Sequence, residues 1–129
     1  MKKYKLLAAL FALSMITYVD RVCISAAKEP ITAAMHLSDT AMGLVFSAFA
    51  LGYALAQIPA GWLADRIGPR LALTLVVTAW STLTALTGAA WNTISLVSIR
   101  FLFGIAEAGA YPGSARAICD WLPSRIRSR

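Results

Sequence analysis

Four times along the 129-residue chain, a predominantly apolar run of about 20 residues or more stands between short polar stretches. An α-helix rises about 1.5 Å per residue, so each run is long enough to cross a hydrocarbon layer of about 30 Å. Composition agrees. Hydrophobic residues make up 59% of the chain and charged ones 14%, where soluble domains average about 45–50% and about 25%. A soluble fold this short buries too little surface to hide so much apolar side chain. The chain is expected to be an all-α integral membrane protein with helices at about 6–27, 41–63, 71–90 and 94–117.

The polar stretches are informative in turn. Met1-Lys-Lys-Tyr-Lys before the first run resembles the start of a signal peptide, but the run is too long and carries Asp20-Arg21 where neutral residues are needed. It is taken as a spanning helix. Residues 28–39 form a polar connection with Pro30 and the single histidine, His36, to which no role is assigned. Ser38 and Asp39 are suited to capping the second helix. In that helix Ala48, Gly52, Ala56 and Ala60 form a small-residue stripe for close helix approach. Tyr53 and Gln57 mark a separate, polar face. Gly61 to Arg70 gathers charges, glycines and Pro69 into a tight connection to the third helix, which has no charge. Trp91 stands at an interface level.

Charge sets orientation and excludes partners. Lys2, Lys3, Lys5, Arg66, Arg70, Arg116, Arg125, Arg127 and Arg129 fall on one side of four alternating helices, against Lys28 on the other. The positive-inside rule then puts both termini in the cytoplasm of a multi-pass protein of the cell (inner or plasma) membrane, surrounded by lipids. The net charge of +6 is spread over chain ends and one loop rather than one exposed face, so nucleic acid is not the expected partner. Cys23 and Cys119 lie toward opposite faces and are expected to be free, partly buried packing residues.

Asp20, Arg21, Arg100 and Glu107 interrupt the apolar runs. A charge at a helix centre costs at least about 2.5–3.5 kcal/mol on insertion scales. Snorkelling serves only near helix ends. A structural ion pair and a substrate or ion pathway both remain open. Asp20 and Arg100 each lie roughly 10 Å below the outer surface, with Arg21 close to that level and Glu107 two turns deeper. A permanently charged guanidinium grips a carboxylate through two parallel hydrogen bonds. Desolvation and a neighbouring guanidinium act in opposite senses on a carboxyl's proton affinity, so changing exposure can load or unload a proton. The set therefore fits an anion site with two carboxyls able to carry protons.

These residues also fall into known patterns. Gly61-x-x-x-Asp65-Arg66-x-Gly68-x-Arg70 and Arg100-x-x-x-Gly104-x-x-Glu107-Ala108 resemble two signatures of the major facilitator superfamily. Tyr18-x-Asp20-Arg21-x-x-x-Ser25, Gly43 to Tyr53, Gln57 to Gly61, and Glu107 through Tyr111-Pro112-Gly113 resemble its anion:cation symporter branch. The resemblance covers essentially the whole chain. It implies proton-coupled uptake of an organic anion such as a sugar acid. Arg21 and Arg100 would contact the substrate, with Tyr18 and Tyr53 assisting; Asp20 and Glu107 would carry protons. Gly61, Asp65, Arg66, Gly68 and Arg70 would belong to a cytoplasmic gate. Family members have twelve helices in two halves, so a four-helix chain is expected to be an N-terminal portion, inactive without the missing C-terminal portion. The alternative is a self-contained four-helix protein acting as an oligomer, exporter-like or structural. With no Walker-type loop, no dinucleotide fingerprint and no Cys/His cluster, no enzyme activity, cofactor or metal is expected.

Overall fold

A computed structural model describes residues 2–122, and Arg125, Arg127 and Arg129 lie outside the described residues. The elements are α1 (Lys2–Ala26), α2 (Lys28–Met35), α3 (Asp39–Ile67), α4 (Pro69–Gly88), α5 (Thr93–Glu107) and α6 (Ala110–Trp121). Three single helices, α1, α3 and α4, are long and apolar enough to cross a membrane, as is the α5–α6 stretch taken together. The four expected spans are therefore present. Their ends differ from expectation in three instructive places.

The charged connection is almost entirely helical. α3 continues through Gly61 to Ile67, and only Gly68 separates it from α4. Gly68 has φ +83°, a conformation that side chains disfavour, and Pro69 then supplies a ready-made first helical turn. Asp65 and Arg66 need no loop, because the end of α3 already leaves both exposed.

Residues 28–35 are α2 rather than an irregular connection. Ile31 and Met35, one turn apart, pack on the buried cluster of Leu37, Met42, Val45 and Leu96. The helix ends at His36, whose left-handed backbone (φ 52°) lets its amide bond the Thr32 carbonyl. Ser38 caps α3 as expected, accepting from the Ala41 amide at 3.1 Å.

The fourth span is broken between Glu107 and Ala110. Pro112 has no amide to donate to Ala108, four residues back, so the helical ladder lapses there. The span also reaches Trp121, beyond the expected end at 117.

The most extensive helix contact is between α3 and α5. Its closeness comes from two glycines facing opposite ways. A Cβ on Gly52 would run into the Phe101 carbonyl oxygen, and one on Gly104 into the Phe49 carbonyl oxygen. Ala60 of the same small-residue stripe would stand 3.7 Å from a Cβ on Gly109. Against this pair, α4 buries only Ala72 and Trp80. Its Thr74, Thr78 and Thr82 hydroxyls donate to carbonyls four residues back, at 2.8, 2.8 and 2.9 Å. A face that satisfies its own polar groups can lie in lipid. α1 packs through a narrow seam of Leu10, Thr17 and Ile24, seven residues apart. Cys23 and Cys119 are free but exposed, not partly buried, because the α1 seam and the α6 contact each turn another face inward.

Gly104→Val and Gly52→Val are expected to destabilise the bundle by at least about 1–3 kcal/mol, since backbone must move to admit them. Gly43→Ala, where an added Cβ meets nothing within 4 Å, serves as the control. Thermal unfolding in detergent checks this; equal midpoints for all three variants would contradict the close crossing.

Candidate functional site

Arg21 follows Thr17 by one turn on the inward seam of α1, so its side chain enters the bundle rather than the lipid. Its Nε donates to Glu107 Oε1 at 2.8 Å. Glu107 is wholly buried, while the Arg21 side chain keeps 32% of its exposure. Glu107 closes α5 just before the break in the fourth span. This ion pair ties α1 to α5 across the bundle.

α3 contributes an aromatic wall. Phe49 and Tyr53 are one turn apart and stack with ring centroids 6.0 Å apart. The Arg21 guanidinium carbon lies 4.6 Å from the Tyr53 centroid and 5.5 Å from that of Phe49. On the other side, the Arg100 guanidinium carbon lies 4.9 Å from the Phe49 centroid and 4.5 Å from that of Phe103. Phe103 is wedged further by Phe49 at 5.8 Å and by the edge of Trp80 at 6.4 Å. Such contacts attract a guanidinium without engaging its N–H donors.

Arg100 is buried but takes part in no ion pair among the described residues. Its Nε has no hydrogen-bond partner there, and the same holds for Arg21 Nη2, Glu107 Oε2 and Gln57 Oε1. Buried polar atoms are nearly always paired in folded proteins, so the three orphans on Arg21, Arg100 and Glu107 mark a place built for more than packing. Arg100 and Phe103 also line a cavity of about 500 Å³, together with Asp20, Ile24 and Met35. The cavity lies at the end of the bundle opposite the Gly68 turn, roofed by α2.

The sequence placed Arg21 level with Arg100 and Glu107 two turns deeper. The structure draws Arg21 down to Glu107 and leaves Arg100 with Asp20 on the cavity. Tyr53 joins the cluster, whereas Tyr18 is 66% exposed and meets none of these residues among the contacts described. Phe49 and Phe103 were not singled out from sequence. Their signals were positional: Phe49 lies one turn before Tyr53, and Phe103 three residues after Arg100.

A second set lies at the Gly68 end. Arg116 of α6 donates to Asp65 of α3 at 3.2 Å and contacts Asp120 at 3.1 Å. Sequence reading used Arg116 only for orientation. Arg66 stacks on Trp62 at 4.6 Å and forms no ion pair among the described residues. Arg70 lines a separate cavity of about 350 Å³ with Lys2, Lys5 and Trp121. A Cβ added at Gly61 would meet Pro112 at 3.6 Å, an ordinary van der Waals contact, so packing does not demand glycine there.

A helical membrane protein with an arginine and a carboxyl buried on one spanning stretch, the carboxyl paired with an arginine of another, is the class these features define. The Major Facilitator Superfamily model matches residues 10–129, and the chain belongs to that family. The chain is 42% identical over 121 residues to the probable sulfoacetate transporter SauU of Cupriavidus necator, covering 94% of this chain and 28% of that one. It is 37% identical over 127 residues to the D-galactonate transporter of Escherichia coli O6:H1, covering 98% and 30%. It is 36% identical over 131 residues to the probable galactarate/D-glucarate transporter GarP of Escherichia coli K12, covering 97% and 30%. These relatives are named as transporters of organic anions, not as enzymes. The chain spans less than a third of their length.

Arg21→Met strands the Glu107 carboxyl. Breaking a buried pair costs about 3–5 kcal/mol, and the lower end is expected here because Arg21 is part-exposed. Arg21→Met/Glu107→Met should recover much of that loss. A double-mutant cycle on unfolding in detergent measures the coupling; purely additive losses would show that the two side chains act independently.

Proposed function

We propose that this chain forms part of a proton-coupled symporter for small organic anions of the sugar-acid type. The observation that carries the reading is an asymmetry: Arg21 is neutralised by Glu107, whereas Arg100 faces a cavity it shares with Asp20 and forms no ion pair among the described residues. A cation buried without a partner is unfavourable in its own right. A substrate carboxylate supplies what the site lacks, through bidentate N–H donation. A sulfonate, as on sulfoacetate, offers comparable oxygens.

Coupling follows from competition for the arginines. While Glu107 is ionised, its carboxylate occupies Arg21. A proton on Glu107 weakens that pair and frees Arg21 for the substrate. Asp20, on the same cavity as Arg100, is the second proton carrier. Tyr53 lies against Arg21 and lends its hydroxyl to the bound anion, as would Tyr18 if a wider site enclosed it. In this reading the Asp65–Arg116 contact locks α3 to α6 on the cytoplasmic side, with Gly61, Arg66, Gly68 and Arg70 shaping the same gate. The basic end faces the cytoplasm of the cell membrane. Because the relatives are more than three times as long, these residues form one wall of a larger site, and transport requires the rest of such a carrier.

The test uses the complete gene product containing this sequence, reconstituted in proteoliposomes with D-galactonate, D-glucarate and sulfoacetate as probes. Arg100→Lys should lower affinity at least about tenfold, the loss of roughly one charge-assisted hydrogen bond. Glu107→Gln and Asp20→Asn should retain binding but lose accumulation driven by an imposed pH gradient. Normal gradient-driven accumulation in both carboxyl variants would refute the assigned coupling. Uptake by the 129-residue chain alone would instead favour a self-contained oligomer.

A further inference from the structure

The site proposed above holds two cations on one ring. Phe49 lies within 5.5 Å of the Arg21 guanidinium carbon and 4.9 Å of that of Arg100, measured to its centroid. The two charges are therefore no farther apart than the sum of those distances, inside a low-dielectric bundle where like charges repel strongly. Only Glu107 among the described residues forms an ion pair with either of them. What else lies against them is aromatic: Tyr53 for Arg21 at 4.6 Å, Phe103 for Arg100 at 4.5 Å, and Phe49 as the one ring that both share.

The ring cannot drift. The Phe49 backbone carbonyl occupies the space where Gly104 lacks a side chain, so α5 pins its main chain. Its ring is braced by Tyr53 at 6.0 Å and Phe103 at 5.8 Å. Gly104 is one turn beyond Arg100 on the same helix, so one glycine contact fixes both the ring and the arginine it faces. An acceptor side chain here would tie up guanidinium donors that a ligand needs. An aliphatic one of similar size would separate the charges without attracting them. Phenylalanine does neither.

We infer that Phe49 is a positioning residue, which sets the spacing of Arg21 and Arg100 and holds both by cation–π attraction while leaving their N–H donors for an anion. The inference rests on the symporter reading for the anion, but the ring's part in it is separately measurable.

The complete gene product is prepared with Phe49→Tyr, Phe49→Leu, and a series carrying one, two or three ring fluorines at position 49. Fluorination weakens the negative face at nearly constant size. Binding of D-galactonate, D-glucarate and sulfoacetate is measured beside thermal unfolding. Phe49→Tyr should bind within about threefold of the unsubstituted protein, and Phe49→Leu about tenfold more weakly. Affinity should fall stepwise with each fluorine while the unfolding midpoint stays constant. A flat fluorine series, or undiminished binding in a folded Phe49→Leu variant, would overturn the inference. If Phe49→Leu fails to fold, the fluorine series decides. Arg100→Lys separates the two levels. A lost affinity there with a flat fluorine series removes only the role of Phe49, and an unchanged affinity removes the anion reading itself. Failure of the unsubstituted protein to bind any probe would remove both.

Discussion

A charge placed in a medium of low dielectric must find an opposite charge, a π-face or a ligand. Much of this bundle can be understood from that requirement applied to Arg21. The helix that bears it, α1, has a seam of only three buried residues and makes few contacts with its neighbours. Its firm attachment is electrostatic, through Glu107 on α5 and the rings of Phe49 and Tyr53 on α3. Breaking the pair would strand a wholly buried carboxyl, so the position of α1 is fixed by that contact.

The rigid counterpart is the α3–α5 crossing. There the glycines let backbone meet backbone, and no side chain can repack to absorb a shift. The aromatic wall is built on that crossing, so Arg100 is presented to the cavity by an unyielding surface. The molecule thus sets a loosely packed, charge-tethered helix against a tightly packed pair. The Asp65–Arg116 contact adds a third tether at the other end, between α3 and the far side of the Pro112 break. Superfamily membership gives this arrangement its context.

Much of the fold was legible in the sequence. Length and apolarity alone locate four spans, because lipid leaves a chain of this composition few alternatives. The stripe containing Gly52 and Ala60 announced the close crossing, while of the Tyr53–Gln57 face the contacts described bring only Tyr53 to an arginine. Element ends were less legible. Ile31 and Met35 form a helix because a core cluster accepts them, a condition that no local window contains. The near-absence of a loop at Gly68 depends on one residue with positive φ between two helices that tolerate charges at their ends.

By itself, the sequence determined that this chain lies in a membrane as helices and that ionisable residues lie within them. Hydropathy and helical rise are properties of neighbours along the chain, so they survive without knowledge of the fold. Only the tertiary structure decided which charge meets which. Arg21 pairs with Glu107, 86 residues away, while Arg100 is left with two rings and an open cavity. Depth along a helix axis could not reveal this, because an arginine side chain reaches more than a turn. Its partner is chosen by which helix faces it across the bundle.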